Sequence, residues 1–290
     1  MSPAHLLFAL AINLVWGVNL VVLKLGLDEL SPMLFGALRA SIVLVFLLPW
    51  LKWKPGSMKM LLLAAMTVGP LHFATLFLGF KLMGDASAAS IVTQLSIPFS
   101  TVLAVIFLGE RLGPWRIGGL AMAFSGVALM TADPRVFSYV DGVIVLTLSQ
   151  VAYAFGAIFM RQVKDVSVFE MQAWTSALIA GTLIGFSLMF EQDQGQQLAE
   201  LSAFGVGLVL YTGLGASLFG HGGVYYLYQR YPVSTVTPLF LLSPVFGIFA
   251  SILLLGETLT VRMLIGGIVT FLGVSVVTFR EAMLARAKGL

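Results

Sequence analysis

The sequence predicts an all-α polytopic membrane protein, with ten transmembrane helices arranged as two five-helix inverted-topology repeats. Three observations carry this: scarcity of charge, apolar runs of bilayer length, and an internal repeat. Of 290 residues, 59% are hydrophobic and 10% are Asp, Glu, Lys or Arg, against about 25% charge in a soluble domain. So few charges cannot clothe a water-facing surface. The net charge of +3 is scattered over short loops, which excludes the basic patch of a nucleic-acid binder. The chain has no cysteine, so disulfide frameworks and thiolate chemistry are excluded.

A bilayer-spanning helix needs about 20 apolar residues, and runs of that order fall at 5–23, 32–50, 60–80, 86–108, 115–132, 142–160, 171–190, 203–228, 232–255 and 263–279. Helix breakers and polar residues separate them: Asp28-Glu29 with Ser31-Pro32, Pro55-Gly56, Gly84-Asp85, Gly113-Pro114, Asp133-Pro134, Asp141-Gly142, the polar tract 191–200, and Arg230-Tyr231-Pro232. A membrane β-barrel would show strands of about ten residues with alternating polarity; these runs are longer and apolar on all faces. The N-terminus lacks the basic region and small-residue cleavage signature of a signal peptide.

Counting Lys and Arg against these spans sets orientation. With the N-terminus inside, eleven lie in inner segments (Lys52, Lys54, Lys59, Arg111, Arg116, Arg161, Lys164, Arg230, Arg280, Arg286, Lys288) and four in outer ones (Lys24, Lys81, Arg135, Arg262). This positive-inside bias predicts that both termini are cytoplasmic. Arg39 is the one charge near the middle of a predicted span.

The repeat is visible where FLGERLGPWRIGGLAMAFSGVALM, around the fourth and fifth helices, returns as LLGETLTVRMLIGGIVTFLGVSVV around the ninth and tenth. Glu110 matches Glu257, Leu112 matches Leu259, Gly119 matches Gly266 and Gly126 matches Gly273, at one offset of 147 residues. Trp16-Gly17 is echoed by Phe155-Gly156. The expected halves are 1–135 and 140–282, followed by a short basic tail at 283–290. Five helices per half is an odd number, so the second half enters the membrane inverted, an architecture of alternating-access transporters.

These motifs resemble the EamA-type branch of the drug/metabolite transporter superfamily, most closely bacterial exporters of amino acids and cysteine-pathway metabolites. The resemblance covers nearly the whole chain. It rests on LVWGVNLVVLKLG at 14–26, ALRAS at 37–41, VTQLSIPFSTVLAVIFLGERL at 92–112 and VTPLFLLSPVFGIFASILLLGETL at 236–259. It implies ten helices, an inner-membrane setting and efflux of small polar or amphipathic metabolites. An importer or bidirectional facilitator of the same fold is the alternative, a channel or scaffold a more distant one.

A substrate route needs polar groups that lipid would penalise. In helix one, Asn13, Trp16 and Gly17 share a face; Asn13 offers hydrogen bonds to a ligand or between helices, Trp16 an aromatic wall, and Asn19 lies off that face. Helix three offers His72 and Thr75, helix four Gln94 before Pro98, helix six Gln150 and Tyr153, helix eight His221 and Tyr225, and helix nine Thr237. The cavity candidates are thus Asn13, Trp16, Asn19, His72, Thr75, Gln94, Tyr153, His221, Tyr225 and Thr237. Gln172 and Trp174 lie near a span boundary and are expected to anchor it. Arg39, Pro98, Pro238, Pro244 and the paired Glu110 and Glu257 are expected in structural or gating roles, with recognition of an anionic substrate group the other reading of Arg39. Glycine pairs in helix eight predict local bending, Thr237-Pro238 and Ser243-Pro244 predict two backbone breaks in helix nine, and the glycines of helices five and ten predict packing or a homodimer contact.

No catalytic residues, metal site or cofactor are expected. The chain has no P-loop or zinc-protease motif, no span carries a central carboxylate, and spacing nominates no nucleophile and base pair. Coupling to a proton would have to run through His72, His221, tyrosines or a boundary acid; exchange for a counter-substrate needs none of these. The expected partners are a small-molecule substrate and the lipid bilayer.

Overall fold

The computed structural model describes residues 1–83, 92–93, 95–109, 113–131, 139–255 and 261–287. Among them the regular structure is helical throughout. Helix α1 (Pro3–Glu29) starts where the Ser2 side chain accepts the His5 amide and Pro3 sets the first turn. It runs through Asp28 and Glu29, because nothing opposes helix until Pro32 forces Ser31 into an extended conformation. Helix α2 (Pro32–Leu47) ends in a short 3-10 turn, Leu48–Trp50.

The third apolar stretch is not one smooth helix. Helices α3 (Met58–Met66) and α4 (His72–Met83) meet at a kink within Thr67–Leu71, where Gly69 leaves the helical region (φ −94°, ψ −107°) just before Pro70. Pro70 has no N–H to give to the ladder and pushes the residue before it out of the α region, so the helix breaks at Gly69.

Helices α5 (Ser96–Leu108), α6 (Pro114–Thr131), α7 (Val140–Gln162) and α8 (Val168–Phe190) follow. Pro98 lies in the first turn of α5, where a missing N–H costs no intrahelical bond, so it kinks nothing within that helix. The polar tract contains a short helix, α9 (Gln194–Glu200). The next span joins α10 (Ala203–Leu210) to α11 (Gly222–Tyr228) through a π-helical segment, Tyr211–His221, where the glycines weaken α-helical preference. Helices α12 (Val233–Val236) and α13 (Ser243–Leu255) flank a 3-10 segment, Thr237–Leu242, between the two prolines. Helix α14 (Val261–Ala287) carries helical backbone into the expected tail.

Among the described residues, six stretches are long and apolar enough to cross a membrane: 3–29, 32–50, 58–82, 140–162, 168–190 and 203–228. Shorter apolar helices lie at Phe99–Leu108, Thr237–Gly247 and Leu264–Gly273. Large apolar side chains such as Leu7, Ile106, Leu188, Leu253 and Phe271 are exposed on the outside, whereas Asn13, Arg39, His72, Gln150 and Gln172 are buried. This inversion of soluble-protein polarity marks a polytopic membrane protein.

Helix α2 packs along α8, and α6 along α14. Helix α1 packs against both α13 and the span 203–228, while α7 packs against both α5 and the span 58–83. Two buried clusters dominate the core. One contains Ile12, Leu61, Ile158, Met160 and Tyr228; the other contains Leu23, Phe35, Phe77 and Leu183.

The α2–α8 pair is clipped at both ends. At one end Glu191, just past α8, accepts from Ser31 Oγ (2.8 Å) and from the Met33 and Leu34 amides (2.7 and 3.0 Å), capping α2. At the other, Lys54 pairs with Glu170 at 2.9 Å and Trp174 Nε1 donates to the Lys52 carbonyl at 3.0 Å. Glu170 also completes a capping box with Ser167 at the start of α8.

The glycines of α6 and α14 serve close approach within the chain. A Cβ on Gly126 would sit 2.5 Å from the Thr270 backbone nitrogen, and one on Gly273 would meet the Ala123 backbone nitrogen and sit 2.7 Å from Ala123 Cα. The Thr270 hydroxyl reaches the Ala123 carbonyl at 3.3 Å. These two glycines therefore face each other's helix rather than a second copy of the chain.

Candidate functional site

A cavity of about 170 Å³ lies inside the helix assembly, lined by residues of α1, α2, α4, α5, α7, the π-helical segment and the start of α13. Its aromatic walls are Trp16, Phe73, Tyr153 and Phe240. Its polar groups include Asn19, Arg39, His72, Gln150, His221 and Thr237. No acidic residue is among the described lining.

Trp16 is held from two sides. Its indole N–H donates to the Ala216 carbonyl at 3.1 Å, and its ring lies 4.9 Å from His221 and 5.1 Å from Phe240, centroid to centroid. The accepting carbonyl belongs to the π-helical segment, whose wider turns leave carbonyls out of the regular α ladder.

His72 follows directly on the Gly69-Pro70 turn. Its Nδ1 lies 3.1 Å from the Ser149 carbonyl and 2.8 Å from the Ser149 hydroxyl, and that hydroxyl donates to the His72 carbonyl at 2.9 Å. A carbonyl only accepts and the hydroxyl hydrogen is already committed, so Nδ1 carries a proton. In the neutral ring Nε2 is then an acceptor.

Gln150, 3% exposed, follows Ser149 on α7 and lines the cavity, and its Nε2 has no partner among the described residues. Asn19 Oδ1 and His221 Nδ1 are likewise unpartnered there. Buried polar atoms are almost always satisfied in folded proteins. Three such atoms, those of Asn19, Gln150 and His221, belong to residues lining this cavity, which makes it the candidate binding site.

Arg39 is 5% exposed. Its Nε donates to the Ser217 hydroxyl, and its guanidinium carbon sits 4.7 Å above the Phe73 ring centroid. It also lines a smaller adjoining cavity of about 20 Å³, together with Gln172, Ser217, His221 and Tyr225. Gln172 Nε2 donates to the Ser217 carbonyl at 2.8 Å.

Of the sequence-predicted cavity residues, Trp16, Asn19, His72, Tyr153, His221 and Thr237 come together on the main cavity. Tyr225 lines the smaller one. Asn13 is not on either wall. It is fully buried, donating to the Ala9 carbonyl at 2.7 Å and accepting from Ser243 at 2.8 Å, which ties α1 to α13. Thr75 is turned back onto its own helix, donating to the Leu71 carbonyl at 2.6 Å. Arg39 and Pro244, expected in structural or gating positions, both line the main cavity, and Pro238 is buried in the 3-10 segment. Gln94, Glu110 and Glu257 lie outside the described residues.

Sequence reading missed Phe73, Phe240 and Ser149. The two phenylalanines carry no polar mark to separate them from the other 20 in the chain. The adjacent Ser149-Gln150 pair, in the middle of an apolar span, was the available signal for the third.

Two segments of this chain, 4–132 and 141–279, match the model of the EamA-like transporter family. The chain belongs to that family. Among curated relatives of this EamA-like transporter is a "Probable amino-acid metabolite efflux pump" of Salmonella typhimurium, 29% identical over 100% of both chains. The protein of the same description in Escherichia coli is 27% identical over 96% of each. A "Probable terminal-alkyne amino-acid exporter" of Streptantibioticus cattleyicolor is 26% identical over 67% of this chain and 65% of its own. A crystal structure superposes with TM-score 0.80, covering 98% of this chain and 99% of that one, at 17% identity; that likeness concerns the fold alone. The chain is a membrane transporter of small metabolites rather than an enzyme by family.

Proposed function

We propose that this protein is a secondary exporter of small amino-acid-related metabolites, working by alternating access in a bacterial inner membrane with both termini cytoplasmic. The carrying observation is the cavity: a small, aromatic-walled chamber with polar atoms that lack partners among the described residues, to which both halves of the chain contribute. Trp16, Asn19, Arg39 and His72 come from the first half, and Gln150, Tyr153, His221 and Thr237 from the second. Rocking one half against the other changes the exposure of such a site without dismantling either half. The curated relatives described as efflux pumps support the direction.

Ten helices in two inverted halves, near 1–135 and 140–282, account for the packing. An offset of 147 residues carries Ala123 onto Thr270 and Gly126 onto Gly273, and the close contacts are Gly126 with Thr270 and Ala123 with Gly273. The offset exchanges the two contacts, as a two-fold axis between α6 and α14 requires. The same axis relates the α1–α13 packing to α7–α5, and makes the α2–α8 pair, clipped at both ends, its own counterpart.

Energy coupling runs through proton exchange at the cavity histidines or through counter-substrate exchange. Purified protein in liposomes, loaded with radiolabelled amino acids and related metabolites, tests the function and separates the two. Saturable flux without ATP, accelerated by unlabelled substrate on the far side and reduced in Trp16→Ala, is the expected result. Flux that stays linear with concentration and shows no counterflow would mean a channel and refute alternating access.

A further inference from the structure

We propose that Arg39, with Gln150 as a second donor, anchors a carboxylate of the transported molecule, so that the carrier selects small carboxylate-bearing metabolites. This rests on the carrier reading above. A guanidinium within a membrane-embedded helix assembly is expensive to bury, and no carboxylate of the described residues pairs with Arg39; the ion pair among them joins Lys54 to Glu170 at one end of the α2–α8 pair. What the protein supplies is orientation instead of charge.

The Ser217 hydroxyl donates to the Thr212 carbonyl at 2.9 Å, which leaves its lone pairs for Arg39 Nε. The Phe73 ring supports the guanidinium face. Among the described residues Nε is the guanidinium nitrogen with a hydrogen-bond partner, and Arg39 lines the cavity. The terminal N–H groups form the planar fork that matches a carboxylate in a bidentate pair.

The rest of the cavity fits the same guest. Gln150 Nε2 is a buried donor on the wall with no partner among the described residues. With no acidic residue in the described lining, nothing there competes for the arginine or favours a bare cation. Trp16, Phe73, Tyr153 and Phe240 offer aromatic faces to an apolar substituent or an ammonium group. A cavity of about 170 Å³ limits the guest to a small molecule. Held in place by Ser217 and Phe73, Arg39 keeps its fork directed without a protein counter-ion, and the substrate carboxylate supplies the missing charge in each transport cycle.

The test uses pairs that differ only at the carboxylate: L-methionine against L-methioninamide, and L-phenylalanine against L-phenylalaninamide. Each is measured as competitor in proteoliposome counterflow and by thermal stabilisation of the purified full-length protein. In the wild type the carboxylate member of each pair is expected to compete at least about tenfold better, the size of a charge-assisted hydrogen-bonded pair. In Arg39→Gln that ratio is expected to fall to about one while the amides retain their competition. Arg39→Lys keeps the cation and so guards against misfolding, and its ratio is expected to drop about fivefold as the fork is lost.

A wild type that treats both members alike refutes the anchor and leaves the carrier standing. So does an Arg39→Lys protein with an undiminished ratio, or an Arg39→Gln protein that loses carboxylates and amides equally. If chloride displaces nothing the carboxylates bind, the site takes substrate; if chloride alone stabilises the protein, the ligand is an inorganic ion and the proposal fails. A protein that carries other members of the metabolite panel but binds neither member of these pairs refutes the anchor, and one that carries nothing across that panel refutes the carrier reading.

Discussion

Gly17 lies where α1 touches the backbone of α13, and replacing it with alanine tests whether that contact holds the cavity wall. A Cβ at position 17 would stand 2.5 Å from Phe246 Cβ and 2.7 Å from the Gly247 nitrogen. Carbon atoms rest about 3.5–4.0 Å apart, so the two helices must separate by about 1 Å. The obstructing atoms include backbone, which cannot rotate away, and overpacking of this kind costs about 1–3 kcal/mol. The adjacent Trp16 faces Phe240 at 5.1 Å, and Phe240 lies in the 3-10 segment that leads into α13. The shift therefore also widens the aromatic wall.

Gly118→Ala is the control, because nothing lies within 4 Å of a Cβ there and alanine is the better helix former by about 1 kcal/mol. Thermal melting in detergent is expected to place Gly17→Ala below wild type and Gly118→Ala level with it or slightly above. Counterflow is expected to show a raised KM in Gly17→Ala alone. Equal melting of the two variants would show that α1 and α13 part without cost, and the close packing inferred at Gly17 would be wrong.

Three further outcomes follow from the hydrogen-bonding geometry. Glu191→Ala removes the acceptor for Ser31 Oγ and the Met33 and Leu34 amides; the loss is expected to be about 2 kcal/mol, with faster hydrogen exchange at those amides, and unchanged exchange there would refute the cap. Lys54→Ala is expected to cost under about 1 kcal/mol because the lysine is 35% exposed, whereas Glu170→Ala also breaks the capping box and is expected to cost about 1–2 kcal/mol; equal melting points would assign the effect to the ion pair alone. Gln150→Leu is expected to leave melting unchanged or raise it, since its Nε2 has no partner among the described residues, while substrate competition weakens about tenfold. A destabilised variant with normal flux would make Gln150 a packing residue.

Much of the candidate site was legible in the chain because polar residues in lipid-length apolar runs are conspicuous: Trp16, Asn19, His72, Tyr153, His221 and Thr237 share the cavity. Asn13 and Thr75 look the same in sequence, yet Asn13 joins two helices and Thr75 bonds to its own. Residue type states what a side chain can bond to, and only the neighbouring helix decides whether the bond is already made. Arg39 shows the same division. Its place in mid-span marks it as unusual, but its support by Ser217, 178 positions away, and by Phe73 exists only in the folded chain.

The sequence by itself determined that this chain is a helical membrane protein with a duplicated pattern, and the glycines of 213–223 with Pro238 and Pro244 marked two of the places where its helices depart from regular form. Those properties depend on local chemistry: the cost of charge in lipid, and the missing N–H of proline. Which irregular form each break takes, which helices pair, and which polar atoms are left without partners were decided by tertiary packing. The kink at 67–71, the π-helical segment at 211–221 and the 3-10 segment at 237–242 illustrate the reason. A weakened helix can yield in several ways, and the contacts available to its freed backbone and side chains select one.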